Sequence, residues 1–271
     1  MSQKSPYRSS KLLEKKRRKK KIRIIVGSIF LVSVIIGIVF WFNHESMLID
    51  EIVISDNEFI NNQNLQTDLN KILDKKYIGL FPKKNFLILP KRKIETFIFE
   101  NNLSAKEVKI KRRVSKIEIN ITEHIAVSKW CGLDFNSPGG CYLINEQALI
   151  FAQEKILQPK EVIKLYGIID SENILGAQYL STEVYAVVTT FVDNLKQLDI
   201  VAEFVDTTDQ ETFAVYTEKG PYLLIEKNDD PNEVLNNLKT VIETEELNDA
   251  QFQNLEYIDL RFGNKVYYKI L

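Results

Sequence analysis

The sequence predicts an α+β protein carried on one membrane-spanning helix, and three observations predict it. An uncharged run of 19 residues, Ile24–Phe42, directly follows a basic N-terminal block. Beyond it, stretches in which apolar and polar residues alternate are interspersed with stretches whose apolar residues recur every three or four positions, the periods of strand and helix. These stretches come as strand, helix, helix, strand, strand, followed by a strand-rich region with two further helices. The expected organisation is a basic tail at 1–23, a transmembrane helix at 24–42, a small β-α-α-β-β domain at 43–129 and a mixed α/β, strand-rich domain at 130–271.

Charge supports this division. Residues 1–23 hold 11 Lys/Arg and a single acid, Glu14, whereas the remainder carries 25 basic and 36 acidic residues. As a helix rising about 1.5 Å per residue, Ile24–Phe42 extends roughly 28 Å, close to the hydrocarbon thickness of a bilayer. It is apolar on every face, unlike a one-sided core helix, and Trp41 and Phe42 stand where interfacial aromatics stand. The positive-inside bias keeps Lys11–Arg23 cytoplasmic and sends the C-terminal part across the membrane. The segment after the span, NHESMLIDE, has no small-residue cleavage site, so the expected anchor is uncleaved. Residues 49–129 carry 15 basic and 11 acidic residues, and 130–271 carry 10 and 24, a shift that places a domain boundary near 126–130.

In the small domain, Ile49–Ile54 alternates as a strand. Leu65, Leu69, Ile72 and Leu73 mark one face of a helix that Gly79 and Pro82 end. A second helix, KRKIETFIFEN, begins after Pro90. Val108 and Ile110, then Ile117, Ile119 and Ile121, mark two strands joined by a turn at Arg112–Ser115. In the larger domain, Ala126–Trp130, Cys141–Ile144 and Ala148–Phe151 read as strands, with a turn at Ser137–Gly140. Thr182–Leu198 is a helix. Thr212–Tyr216 and Tyr222–Ile225 form a hairpin across Glu218–Pro221. Asp230 caps a helix with Pro231 in its first position and Glu233 completing a capping-box pattern. Tyr257–Phe262 and Lys265–Ile270 are strands joined by Gly263-Asn264.

Composition sets limits on function. With 45% hydrophobic and 27% charged residues the chain is globular in character. Two histidines, His44 and His124, do not form an H-x-x-H pair, and no nucleophile-elbow or phosphate-loop motif is present. No catalytic residue, metal site or cofactor is expected, nor a nucleic-acid partner or small-molecule substrate. Cys131 and Cys141 flank a Gly/Pro turn on the exported side. Either they form a disulfide, which closes an 11-residue loop and contributes about 2–3 kcal/mol, or they are two buried thiols.

Several stretches resemble the FtsQ/DivIB family of bacterial cell-division proteins. Tyr77-Ile78-Gly79-Leu80-Phe81 through Asn85–Leu89 is similar to the family segment between the two helices of its POTRA module. Thr122–Val127 with Trp130 resembles the exit from that module. Tyr142–Phe151 resembles a following hairpin, and Tyr257–Phe262 with Val266-Tyr267 resembles the terminal strands. The usual "V-x-G-N" is here Ile54–Asn57, and the hairpin glycine is Ala148. The resemblance implies a POTRA-like domain and a non-enzymatic divisome adaptor in the cytoplasmic membrane at the septum. It also implies partners of the FtsB/FtsL type, small bitopic division proteins that add a strand to a sheet edge. That edge maps to Arg261, Phe262, Gly263, Asn264, Lys265, Val266 and Tyr267, with Arg261 offered to a partner carboxylate and Phe262 and Tyr267 as apolar anchors. For each of these the other reading is internal: a core aromatic, or an internal salt bridge. Two rival functions remain open, a POTRA-type chaperone or translocation module and a signal-anchored cell-wall enzyme.

The charge asymmetry makes a prediction about topology. A reporter active only outside the cytoplasm, fused at Leu271, is active in the parent. Neutralising Lys15–Arg23 lowers that activity by releasing the orientation.

Overall fold

The computed structural model describes residues 6–55, 57–113, 115–136, 140–155, 160–243 and 252–271; the expected turn at Ser137–Gly140 lies outside these except for its last residue. Contacts divide the chain into two compact units, Met1–Phe99 with Glu107–Ile121, and Glu100–Lys106 with Thr122–Leu271. The division therefore falls a few residues before the expected 126–130, and a short piece around Ser104 belongs to the second unit.

In the first unit the basic block and the apolar run form one continuous helix, α1 (Pro6–Phe42). Its Glu14–Phe42 part is long and apolar enough to cross a membrane, and no residue of its most apolar window is buried. The globular part follows as β1 (Glu51–Ile54), α2 (Asn62–Leu73), a short hairpin of β2 (Lys76–Tyr77) and β3 (Phe81–Pro82), α3 (Lys91–Asn101), β4 (Ala105–Arg112) and β5 (Lys116–Glu123). The Asn61 side chain caps α2, accepting hydrogen bonds from the Gln63 and Asn64 amides at 3.1 Å. Leu65, Leu69 and Leu73 of α2 and Ile94 and Ile98 of α3 are buried, as the helical spacing predicts. Among the described residues the sheet has the order β1-β5-β4, with β1 parallel to β5 in the register Ile52↔Ile117. The hairpin between the two helices, anticipated only as a helix stop, is an additional element.

The second unit is one mixed sheet with helices. Its strands are β6 (Ser128–Trp130), β7 (Tyr142–Ile144), β8 (Ile150–Gln153), β9 (Ile163–Tyr166), β10 (Ala202–Asp206), β11 (Thr212–Thr217), β12 (Tyr222–Glu226), β13 (Leu255–Phe262) and β14 (Lys265–Ile270). Among the described residues they lie in the order β14-β13-β12-β11-β10-β9-β6-β7-β8. The parallel pairs are β12 with β13, β10 with β9, and β9 with β6. Strands β9 and β10 are absent from the sequence reading.

Two helices supply the core. α4 (Thr182–Leu195) buries Tyr185, Val188, Phe191, Val192 and Leu195, and α5 (Pro231–Ile242) buries Val234, Leu235 and Leu238. They join Val205, Phe213, Val215, Leu223, Ile225 and Ile258 in one apolar cluster. Asp230 caps α5 by accepting from the Asn232 amide at 2.8 Å, with Pro231 in the first turn. Because side chains alternate across a strand, the opposite face of the sheet carries Tyr166, Phe204, Tyr216, Tyr222 and Tyr257. Their rings meet edge to face, stacked or tilted across β9 to β13, with Phe204 and Tyr216 stacked at 4.4 Å. Such cross-strand pairs stabilise this face, on which Phe135 also packs against Tyr166, Phe204 and Tyr216. Buried hydroxyls are paired: Tyr185 with Ser128 at 2.7 Å, where burial pushes the phenol up to about 12.

Cys131 and Cys141 are bonded, with their Cα atoms 4.2 Å apart. They directly extend the antiparallel β6–β7 pair, whose last register pair is Trp130↔Tyr142. The covalent bond thus closes the loop between two strands already in register. Replacing both cysteines by serine should lower the unfolding free energy by about 2–3 kcal/mol, seen as a lower urea midpoint with an equal or slightly larger m-value, because the unfolded chain is no longer cross-linked.

Candidate partner-binding edge

The nine-stranded sheet has two ends, and they are finished differently. At β8 the start of the outer edge is occupied: Ile150 donates to Ala177 O at 3.0 Å and accepts from Gly176 at 2.8 Å, while just before the strand Tyr179 donates to Ala148 O at 2.9 Å. At β14 no strand follows among the described residues. An uncovered edge strand presents a row of unpaired main-chain donors and acceptors.

The hairpin that builds this edge is held in a defined register. Phe262 pairs with Lys265 across the two-residue turn Gly263-Asn264. Gly263 sits at φ +60 while Asn264 keeps a negative φ, as a type II′ turn requires of its two central residues. Asn237 of α5 donates to Gly263 O at 2.9 Å and ties the turn to the core helix. Between β13 and β14 the register shifts at Leu255/Tyr257 and at Asp259/Phe262, and both times the extra residue lies on β13. β14 is therefore regular, and strand alternation applies along its whole length. The Leu271 amide donates back to Asn254 O at 3.0 Å. Counting back, Lys269, Tyr267 and Lys265 bond to β13, and Val266, Tyr268 and Ile270 turn their N–H and C=O groups outward.

The seven residues expected from the sequence fall together on this hairpin, in different environments. Phe262 and Tyr267 are exposed, by 54% and 52%, so they are not core residues; their rings meet edge to face at 5.2 Å. Gly263 and Asn264 form the turn, Lys265 opens β14, and Val266 is partly buried against the apolar cluster. Arg261 is held within the hairpin: Nε and Nη2 donate to the two carboxylate oxygens of Asp259 at 2.8 and 2.6 Å. The Arg261 guanidinium holds the Asp259 carboxyl below its ordinary range, against the opposing effect of burial, and Asp259 in turn raises Arg261. Arg261 offered to a partner acid would first have to leave this bidentate pair.

The residues missed are Tyr268 and Ile270, exposed by 41% and 66%. The signal for them lay in the alternation of the last strand, which assigns them the outward main-chain groups. At the far end of the edge Lys269 pairs with Glu256 at 2.5 Å, and that carboxylate raises the lysine.

No family model and no curated protein matches this sequence.

Elsewhere, among the described residues, no group of three or more His, Cys, Asp or Glu could hold a metal ion. His124 lies against Phe151, with Nδ1 3.0 Å from the Asn145 amide; burial lowers it, with the Lys106 charge adding to that effect. An open cleft of about 580 Å³ is lined by residues including Glu161, Lys164, Thr189 and Asp193, and Asp193 is paired with Lys196 at 2.7 Å.

The Asp259–Arg261 pair predicts a pH-dependent mutant. Arg261→Ala leaves a buried carboxylate without its partner and costs about 1 kcal/mol at neutral pH, discounted because the guanidinium is a third exposed. Asp259 titrates lower folded than unfolded, so this contribution is present above about pH 4 and is lost as pH falls through the folded value. The parent–mutant difference in unfolding free energy should therefore shrink toward zero in acid.

Proposed function

We propose that the protein is a membrane-anchored, non-enzymatic adaptor of the FtsQ/DivIB type, which binds bitopic division proteins of the FtsB/FtsL kind at the β14 edge. The observation that carries this is the contrast between the two ends of the large sheet: the Gly176–Tyr179 segment covers the start of β8, while among the described residues no segment is paired along β14. Long open edges invite aggregation, and proteins ordinarily blunt them. The outer strand of the smaller sheet, β4, is blunted by charge, with Lys106, Glu107, Lys109, Lys111 and Arg112 along it. β14 instead sets Val266, Tyr267, Tyr268 and Ile270 between its lysines. A partner strand added here gains main-chain hydrogen bonds at Val266, Tyr268 and Ile270, and the exposed rings of Phe262, Tyr267 and Tyr268 supply apolar contact.

Two further features support the reading. Apart from the β2–β3 hairpin, the first unit has the element order β-α-α-β-β with a three-stranded β1-β5-β4 sheet, the arrangement a POTRA-like module would need. The Glu14–Phe42 helix is suited to anchor both units to a membrane, with the basic tail in the cytoplasm and the rest outside. Such an adaptor acts at the septum by holding its partners in place; septal wall synthesis is carried out by other proteins.

Proline tests the edge. Val266→Pro and Tyr268→Pro each remove an outward N–H and leave the β13–β14 ladder intact, so the fold should persist. Each should weaken capture of FtsB/FtsL-type proteins about tenfold, from 1–2 kcal/mol of lost main-chain pairing. Tyr267→Pro, which removes a ladder donor, should instead destabilise the hairpin. Unchanged capture by well-folded Val266→Pro and Tyr268→Pro proteins would count against the edge.

A further inference from the structure

The β2–β3 hairpin places an apolar tip beside the end of the apolar helix. Its sequence, Lys75-Lys76-Tyr77-Ile78-Gly79-Leu80-Phe81-Pro82-Lys83-Lys84, is an apolar centre between two lysine pairs. The Leu80 amide donates to Tyr77 O at 3.0 Å, closing a tight turn whose central residues are Ile78 at φ +50 and Gly79 at φ +72. Two positive φ values define a type I′ turn, for which Asn-Gly is the unstrained choice. A β-branched residue in that conformation is an outlier. Here the strained position carries isoleucine, and Ile78 is 92% exposed. Leu80 is 48% exposed beside it. Neither the turn nor the protein core accounts for an isoleucine there.

The position of the tip relative to the span is fixed by buried polar contacts. Asn85, fully buried, donates to Phe42 O at 2.8 Å and accepts from the Leu87 amide at 2.9 Å. Asn43 donates to both Val39 O at 2.8 Å and Leu80 O at 3.0 Å. These two side chains bind the last turn of α1 to the hairpin. Phe42 and Phe81 meet edge to face at 5.4 Å. Tyr77 and Phe81 line an open apolar cleft of about 430 Å³ with Ile38, Phe42 and Ile88. Ile38 lies one turn inside the apolar run, about 6 Å before its end. The hairpin therefore reaches the depth at which hydrocarbon gives way to headgroups, where Trp41 also stands.

We propose that the β2–β3 hairpin is a second membrane contact: Ile78 and Leu80 insert into the leaflet beside the end of α1, and Lys75, Lys76, Lys83 and Lys84 bind anionic lipid headgroups. The inference rests on α1 being a membrane span. Continuity with the span names the occupant, since lipid already surrounds Ile38 and Phe42. Charge names the headgroup, because lysines flanking an apolar tip extend their ammonium groups toward phosphates while their stems remain in the interface. The cleft beside Ile38 has the apolar walls that an acyl chain fits. This contact would set the globular part of the first unit at a fixed tilt on the bilayer.

The two native cysteines are bonded to each other, so one introduced cysteine can be labelled alone. The full chain is reconstituted in nanodiscs with and without phosphatidylglycerol, carrying an environment-sensitive fluorophore at Ile78→Cys or, within the span, at Val34→Cys. Spin-labelled lipids should quench both positions, and emission at 78 should shift to the blue. Quenching at 78 should fall at least about twofold without phosphatidylglycerol, and likewise when the four lysines are changed to glutamine, with quenching at 34 unchanged. Quenching at 34 without quenching at 78 overturns the proposal and leaves the span intact. A blue shift at 78 without lipid quenching overturns it in favour of a protein cover. Absence of quenching at 34 removes the span itself, and the proposal with it.

Discussion

Strands hydrogen-bonded into an open sheet must leave two rows of main-chain groups at its ends, and how each row is satisfied governs what the molecule can do. In the second unit the β8 row is satisfied internally at its start by Gly176–Tyr179, while the β14 row faces outward. Much else in the unit holds that outward row in place. The regular course of β14 follows from both register shifts lying on β13. The turn at Gly263 is secured to α5 through Asn237, and α5 is secured through Val234, Leu235 and Leu238 to the core. Asp259 and Arg261 neutralise each other next to the turn, which keeps a buried carboxylate from opposing the fold. An edge held in place in advance would lose less affinity to ordering on contact than a mobile one.

The first unit shows the same economy at the end of its apolar helix. A helix terminus leaves carbonyls without intrahelical partners. Here the carbonyl of Phe42 receives the Asn85 amide, and Asn43 joins the last turn of α1 to Leu80. The apolar helix and the globular part of the first unit are thus linked by hydrogen bonds as well as by chain. Its small sheet lies among α2 and α3, whose leucines and isoleucines supply the core.

The sequence made some of this legible and hid the rest for physical reasons. α3 was read at its observed limits because Pro90 marks its start and its apolar spacing is clean. The β11–β12 and β13–β14 hairpins were read because local turn chemistry announces antiparallel neighbours. β9 and β10 were missed: each is short, and they pair in parallel with each other across the whole of α4, with no adjacent turn to mark them. β2–β3 was missed because two-residue strands have no periodicity. At the edge, the resemblance to the terminal FtsQ/DivIB strands pointed to Arg261 through Tyr267, whereas the outward main-chain groups of Tyr268 and Ile270 emerge only from register. The Arg261–Asp259 pair was open to either reading, since residues two apart on a strand share a face whether or not they touch.

Residue-resolved amide exchange along β14, measured with and without a bound FtsB/FtsL-type partner, addresses the central claim most directly. Pairing at the open edge predicts slowed exchange at Val266, Tyr268 and Ile270, with little change at Lys265, Tyr267 and Lys269, whose amides already bond to β13. Binding that left exchange at Val266, Tyr268 and Ile270 unchanged, or slowed all six amides alike, would contradict it.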